Sequence, residues 1–125
     1  MSGTTDRLRG RRILVAEDEY MLADDLAEVV AGAGAIVVGP VSRVSQALDL
    51  ARAEHLDGAL LDVNLAGDMI WPVVDALGER GIPVLLVTGY DAGTIAAAYA
   101  DRPRCEKPVE IAALLRALGR VIEGA

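Results

Sequence analysis

The chain is predicted to be an α/β domain, a doubly wound sheet of five parallel strands with helices on both faces. Five short apolar runs with strand-like composition alternate with amphipathic segments. The runs are continuous rather than alternating, the mark of strands buried on both sides. A length of 125 residues, 53% of them hydrophobic, suffices for one compact domain around one core.

The first run, Arg12-Ile13-Leu14-Val15-Ala16, is a strand that ends in acid. Leu22, Leu26, Val29 and Val30 recur at helical spacing over residues 20–33, and Gly32 and Gly34 close that helix. Ile36-Val37-Val38 before Gly39-Pro40 is the second strand, and Ser42 or Ser45 is placed to cap the helix carrying Val44, Ala47, Leu48 and Ala51. Gly58-Ala59-Leu60-Leu61-Asp62 is the third strand. A loop through Asn64 and Gly67 then leads to a helix of about two turns with Val73, Val74 and Leu77 inward. Pro83-Val84-Leu85-Leu86-Val87 is the fourth strand, residues 94–100 an alanine-rich helix, and residues 104–106 a short fifth strand. Ile111, Leu114, Leu115, Leu118 and Ile122 form the apolar stripe of the last helix.

Residues 1–10 read as a flexible basic tail, part of a run of Arg7, Arg9, Arg11 and Arg12, leaving 11–125 as the folded domain. A net charge of −7 argues against direct nucleic-acid binding, which requires clustered cations. The apolar runs are too short to span a bilayer, and no apolar segment follows the basic start as a secretory signal requires. A single cysteine, Cys105, excludes an internal disulfide and a cysteine-based zinc site, which suits the cytoplasm; it reads as a buried strand residue. The single histidine, His55, reads as exposed. Trp71, Tyr90 and Tyr99 are too scattered for a base-stacking platform, and Trp71 is expected to pack against the loop after the third strand.

In doubly wound sheets the working site lies beyond the carboxyl ends of the strands. There the chain places Glu17-Asp18-Glu19 after strand one, Asp62-Val63-Asn64 after strand three, Thr88-Gly89 after strand four and Lys107-Pro108 after strand five. Strand two ends in Gly39-Pro40 and offers nothing chemical. Clustered carboxylates suit Mg2+, a hard cation that takes oxygen ligands and keeps several waters. Asp18 and Asp62 are the expected direct ligands, Glu17 one that acts through water, and the Asn64 backbone carbonyl a further oxygen. Residues 17–19 would equally serve to cap the first helix, and Asp62 to end a strand. A carboxylate is also a nucleophile toward phosphorus, and phosphoryl transfer asks for positioned cations and donors. Lys107, the only lysine among 12 basic residues, and the Thr88 hydroxyl supply them. Each feature has a bland reading alone, Thr88 as a local strand-end bond and Lys107 as a solvated surface cation; the specificity lies in the four together.

Ile13-Leu14-Val15-Ala16-Glu17-Asp18-Glu19, Leu61-Asp62-Val63-Asn64, Val87-Thr88-Gly89 and Lys107-Pro108 resemble, in order and spacing over residues 11–123, the signature blocks of response-regulator receiver domains of two-component signalling. The resemblance implies a flavodoxin-like sheet of strand order 2-1-3-4-5. It implies Asp62 as phosphoacceptor, Glu17 and Asp18 as the acidic pair, Thr88 and Lys107 as switch residues, and a cis Lys107-Pro108 bond. The implied partner is a sensor histidine kinase or a histidine phosphotransfer protein. Asp62-Val63-Asn64-Leu65, the block from Pro83 through Thr88-Gly89-Tyr90, and Asp101-Arg102-Pro103 further resemble a single-domain subgroup with a Phe-Ala-Thr-Gly-Tyr-type motif that pairs with HWE-type kinases, although Leu86-Val87 replaces the Phe-Ala. Receivers usually carry an aromatic three residues before the lysine; here Arg104 stands there, so transmission through the segment 89–102 is expected instead. Glu17 replaces the usual first aspartate, which keeps the charge and changes the reach.

Two other functions remain open at this point. One is an aspartate-nucleophile phosphatase of haloacid-dehalogenase type, disfavoured because Asn64 replaces the second aspartate and the chain is too short for a cap. The other is an unphosphorylated interaction module on the same fold, disfavoured because all four chemical positions are filled. A nucleotide-binding reading fails for want of a glycine-rich loop after strand one. The expectation is a signalling module that catalyses only its own phosphorylation and dephosphorylation and acts through protein–protein contacts.

Overall fold

The computed structural model describes residues 7–89 and 97–124. Among the described residues seven strands form in chain order: β1 (Arg12–Ala16), β2 (Ile36–Val41), β3 (Gly58–Asp62), β4 (Asn64–Leu65), β5 (Asp68–Met69), β6 (Val84–Thr88) and β7 (Arg104–Glu106). The helices are α1 (Tyr20–Gly32), α2 (Val44–Ala53), α3 (Trp71–Glu79) and α4 (Ile111–Glu123), with one 3₁₀ turn at Ala97–Tyr99. The main sheet has the order β2-β1-β3-β6-β7, parallel throughout. Once the separate β4–β5 hairpin is set aside, this is the expected order 2-1-3-4-5. Tyr90 and the first three residues of the helix expected over 94–100 lie outside the described residues; the described remainder is a 3₁₀ turn at Ala97–Tyr99 followed by a turn at Ala100, not an α-helix.

Alternation along the strands divides the core in two. Leu14, Leu61 and Leu86 face α2 and α3, meeting Ala47, Val73 and Leu77. Ile13, Val15, Leu60 and Leu85 face α1 and α4, meeting Leu26, Val30, Leu114 and Leu118. Register aligns these layers, with Val15 opposite Leu60 and Leu60 opposite Leu85. Burying each such leucine contributes on the order of 1.5–3 kcal/mol, so both faces of the sheet are held.

Several local expectations are corrected. Neither Ser42 nor Ser45 caps α2: its N-cap is Arg43, and the Gln46 side chain instead accepts from the Ser42 N–H at 3.2 Å. Ile111 drops out of the α4 stripe and is exposed, because it opens the first turn before the helix reaches the sheet. Cys105 is half-buried rather than buried, since β7 is an edge strand covered on one side only. The Cys105 thiol is nonetheless raised, by burial.

The described part of the expected tail is not a tail. Leu8 is fully buried in the core beneath α1 and α4. The Gly10 N–H donates to the Gly34 carbonyl at 2.8 Å, both glycines having the positive φ that this crossing needs. Arg7 meets Glu123 at 3.1 Å, Arg12 meets Glu54 at 2.9 Å, and Arg11 lies 3.9 Å from Asp57. The basic run is thus largely spent on local acids. A single leucine among four arginines carries no periodicity, which is why the sequence hid it. No described helix is long and apolar enough to cross a membrane.

Leu8→Ala is therefore expected to cost about 2–5 kcal/mol in denaturant unfolding, as for a buried leucine. A change within about 0.5 kcal/mol, as for a surface residue, would return residues 7–10 to the solvated tail.

Candidate phosphoryl-acceptor site

The acids sit one step past the apolar run of their strands. Glu17 follows β1, and its N–H donates to the Val41 carbonyl at the end of β2 at 2.9 Å. Strand β2, which offers no chemical side chain at its end, thus fixes the first acid by its backbone. The Glu17 side chain is 1% exposed, and its Oε2 accepts from the Glu19 N–H at 3.1 Å. Glu19 is the N-cap residue of α1, and its side chain makes no capping bond. The reading of these acids as caps therefore lapses. Asp18 is exposed, and its Oδ2 accepts from the Ala66 N–H at 2.9 Å.

Asp62, the last residue of β3, is 6% exposed. Its Oδ1 accepts from the Asn64 N–H at 3.1 Å, and Lys107 Nζ lies 3.0 Å from its Oδ2. Lys107 reaches it from beyond β7, where the Lys107–Pro108 bond is cis and the Lys107 N–H donates to the Thr88 carbonyl at 2.7 Å. The same ammonium lies 3.4 Å from each oxygen of Glu17, but only Oε2 has hydrogen-bond geometry, so Oε1 is buried without a partner. Thr88 is 2% exposed, and among the described residues its hydroxyl is likewise buried without a partner. An unsatisfied buried polar group costs about 1–3 kcal/mol, so two at one strand edge mark a place built for additional ligands.

Glu17, Asp18 and Asp62 each bring a carboxylate oxygen to within 4.8 Å of the others. Three carboxylates against one ammonium leave an excess of negative charge. Oxygen-only donors and the orphaned Glu17 Oε1 fit a hard divalent cation such as Mg2+. Burial, reinforced by the neighbouring Asp62 carboxylate and outweighing Lys107, pushes the Glu17 carboxyl up to about 8. Burial alone would lower Lys107, but its hydrogen bond to Asp62 and the charges of Asp62 and Glu17 outweigh this and raise it.

Glu17, Asp18, Asp62, Thr88 and Lys107 are thus brought to one edge. Asn64 joins them through its N–H, while its side-chain oxygen turns away to accept from the Gly67 N–H at 2.8 Å. Sequence reasoning missed the β4–β5 hairpin, in which Ala66 and Gly67 both have positive φ, 52° and 95°, as a two-residue type I′ turn requires. The signal was Leu65 and Gly67 within two residues, and it was read only as a loop.

No protein-family model matches the chain. The chain is 31% identical over 94 residues to the transcriptional regulatory protein PdtaR of Mycobacterium tuberculosis, covering 72% of this chain and 46% of that protein. It therefore spans about half the length of the curated relatives it matches. SdrG from Sphingomonas melonis Fr1 superposes with a TM-score of 0.80 at 32% identity, covering 98% of this chain and 99% of that one. A response regulator receiver protein from Sinorhizobium medicae WSM419 gives a TM-score of 0.79 at 25% identity, covering 93% and 97%.

The raised Glu17 carboxyl has a consequence for the metal-free protein. Between 4.5, its ordinary value, and about 8 the folded chain keeps a proton that the unfolded chain releases. The stability this group contributes is fully present below the lower value and is lost as pH rises through the upper one. With a chelator present, the melting temperature is expected to fall across that window, and Glu17→Gln to flatten the fall. Parallel profiles for the two proteins would remove Glu17 as the titrating group.

Proposed function

The chain belongs to the receiver domains of response regulators, and on that premise we propose that it accepts a phosphoryl group on Asp62 from a histidine kinase or a histidine phosphotransfer protein, in a Mg2+-dependent reaction. The observation that carries this reading is the buried Asp62 carboxylate held 3.0 Å from the only lysine ammonium in the chain. An Asp62 oxygen attacks phosphorus as the P–N bond of a phosphohistidine breaks. The electron pair leaves with the imidazole nitrogen, which recovers a proton from solvent. Mg2+ held by Glu17, Asp18 and Asp62, with the Asn64 carbonyl as a further oxygen, would screen the acids and neutralise charge on the transferring group.

The chain's own donors do the rest. Lys107, which faces both Asp62 and Glu17, is placed to turn to an oxygen of the phosphoryl group. The Thr88 hydroxyl, now without an acceptor, gains one. Hydrolysis of the acyl phosphate returns the site to its starting state, so the module turns over no metabolite and signals through protein contacts.

A protein donor is favoured by the surface around the site. Tyr20, Met21, Met69 and Ile111 are exposed by 84%, 76%, 41% and 53%. They stand at the start of α1, in the β4–β5 hairpin and at the start of α4, the elements that follow the acids and Lys107. Exposed apolar side chains on the elements that follow the acids and Lys107 fit docking of a kinase helix better than capture of a small ion. The HWE type is the subgroup we favour, on the motif resemblance of residues 83–90 and 101–103.

Intact-mass analysis after treatment with phosphoramidate and Mg2+ is expected to show one phosphoryl group on the wild type and none on Asp62→Asn. Equal labelling of both would move the acceptor elsewhere. Met21→Asp is expected to slow transfer from a cognate kinase by about fivefold or more, as for loss of an anchoring contact, and to slow transfer from phosphoramidate far less. Equal slowing with both donors would deny the rim a role in docking.

A further inference from the structure

The chain leaves the sheet at the site from two neighbouring strands, β3 after Asp62 and β6 after Thr88, which pair at Asp62 and Val87. The first departure is stiff. Asn64 N–H sits on Asp62, the hairpin follows, and buried Ile70 donates its N–H back to the Val63 carbonyl at 2.9 Å. Trp71 comes next, as the first residue of α3. The second departure re-enters the described chain at Ala97–Tyr99.

The two departures meet again at Tyr99. Its ring lies flat on Trp71, with centroids 4.3 Å apart and planes 5° from parallel. Its hydroxyl donates to Asp75, 2.9 Å from Oδ1 and 3.1 Å from Oδ2. Trp71 and Asp75 are four residues apart on α3 and so share one helix face. Tyr99 is therefore gripped at ring and hydroxyl by a single helix whose first turn is tied to the residues after Asp62. Trp71 and Tyr99, expected to be scattered, are the one stacked aromatic pair among the described residues.

Strand β7 offers no comparable grip. Arg104 and Glu106 are exposed and Cys105 is half-buried; the Arg104 guanidinium lies 3.4 Å from the Ala100 carbonyl. That bond attaches Arg104 to the same segment that Tyr99 holds.

We propose that the Tyr99 clamp on Trp71 and Asp75 reads the state of Asp62, holding residues 97–102 on α3 before phosphorylation and releasing them after it. The inference rests on the phosphoacceptor reading above. A phosphoryl group on Asp62 crowds the Asn64 N–H at the foot of one departure and draws the Thr88 hydroxyl at the foot of the other. A flat stack closing two such segments cannot follow both displacements and keep its hydroxyl on Asp75. It slips, and the segment is freed.

Trp71 is the only tryptophan in the chain, so its emission reports the clamp directly. The full chain is treated with phosphoramidate and Mg2+, while intact mass follows labelling and fluorescence follows Trp71. The wild-type emission is expected to change as the mass rises. Tyr99→Ala is expected to gain the same mass, to start at the released emission and to lose the response. Tyr99→Phe, which keeps the ring and loses the Asp75 bond, is expected to retain a smaller response. Labelling without an emission change in the wild type, or an undiminished change in Tyr99→Ala, overturns the clamp and leaves the phosphoacceptor reading intact. No mass gain in the wild type overturns both.

Discussion

Strands β1, β3 and β6 are buried on both faces of a parallel sheet, and nearly everything else follows from that burial. Inside them a polar side chain would meet only leucine, valine and isoleucine, at a cost of several kcal/mol without a partner. Chemistry is therefore pushed to the carboxyl edge, and strand order decides which groups meet there. Glu17 and Asp18 come beside Asp62 because β1 lies beside β3, and Thr88 because β6 lies on the other side. Lys107 starts two strands away, about 9–10 Å in a sheet of this spacing. Only a long side chain spans that gap. Its stem crosses the end of β6 and its ammonium arrives 3.0 Å from Asp62.

That arrival leaves the site unbalanced on purpose. One ammonium cannot neutralise three carboxylates, and burial, with the neighbouring Asp62 carboxylate adding to it, pushes the Glu17 carboxyl up to about 8. Glu17 Oε1 and the Thr88 hydroxyl also lack partners among the described residues. A site saturated by its own side chains would be more stable and would have nothing to offer an incoming ligand. Here unmet hydrogen bonds and unmet charge point at the same small volume.

The sheet and the site were legible in the sequence because both obey simple periodicities. Continuous apolar runs mark the inner strands, and Glu17, Asp62 and Thr88 each stand just past one, while Lys107 follows the short edge strand Arg104–Glu106. What escaped was carried by single residues or by pairs distant in sequence. Leu8 is one apolar side chain among arginines, and only the groove between α1 and α4 gives it a purpose. Tyr99 and Trp71 are 28 positions apart, and nothing local announces that their rings meet. The cap of α2 escaped for a different reason: the gain from a serine oxygen is about 1 kcal/mol, small enough for the helix to start at Arg43 with no side-chain cap at all. That Glu19 makes no side-chain capping bond could be read only from the structure.

Ala66 holds a left-handed backbone conformation at φ 52°, where a side chain is disfavoured by about 1–2 kcal/mol. Glycine would remove that penalty and would also admit many more conformations to the turn. Alanine narrows the ensemble, and the N–H it aims at Asp18 keeps its bearing in consequence. The turn thereby gives an acid otherwise open to solvent a backbone partner at 2.9 Å. Position 66 is in this sense a tuning screw. The residue chosen there sets how tightly the hairpin grips Asp18, and so how much reorganisation the acid must undergo before it can serve anything else.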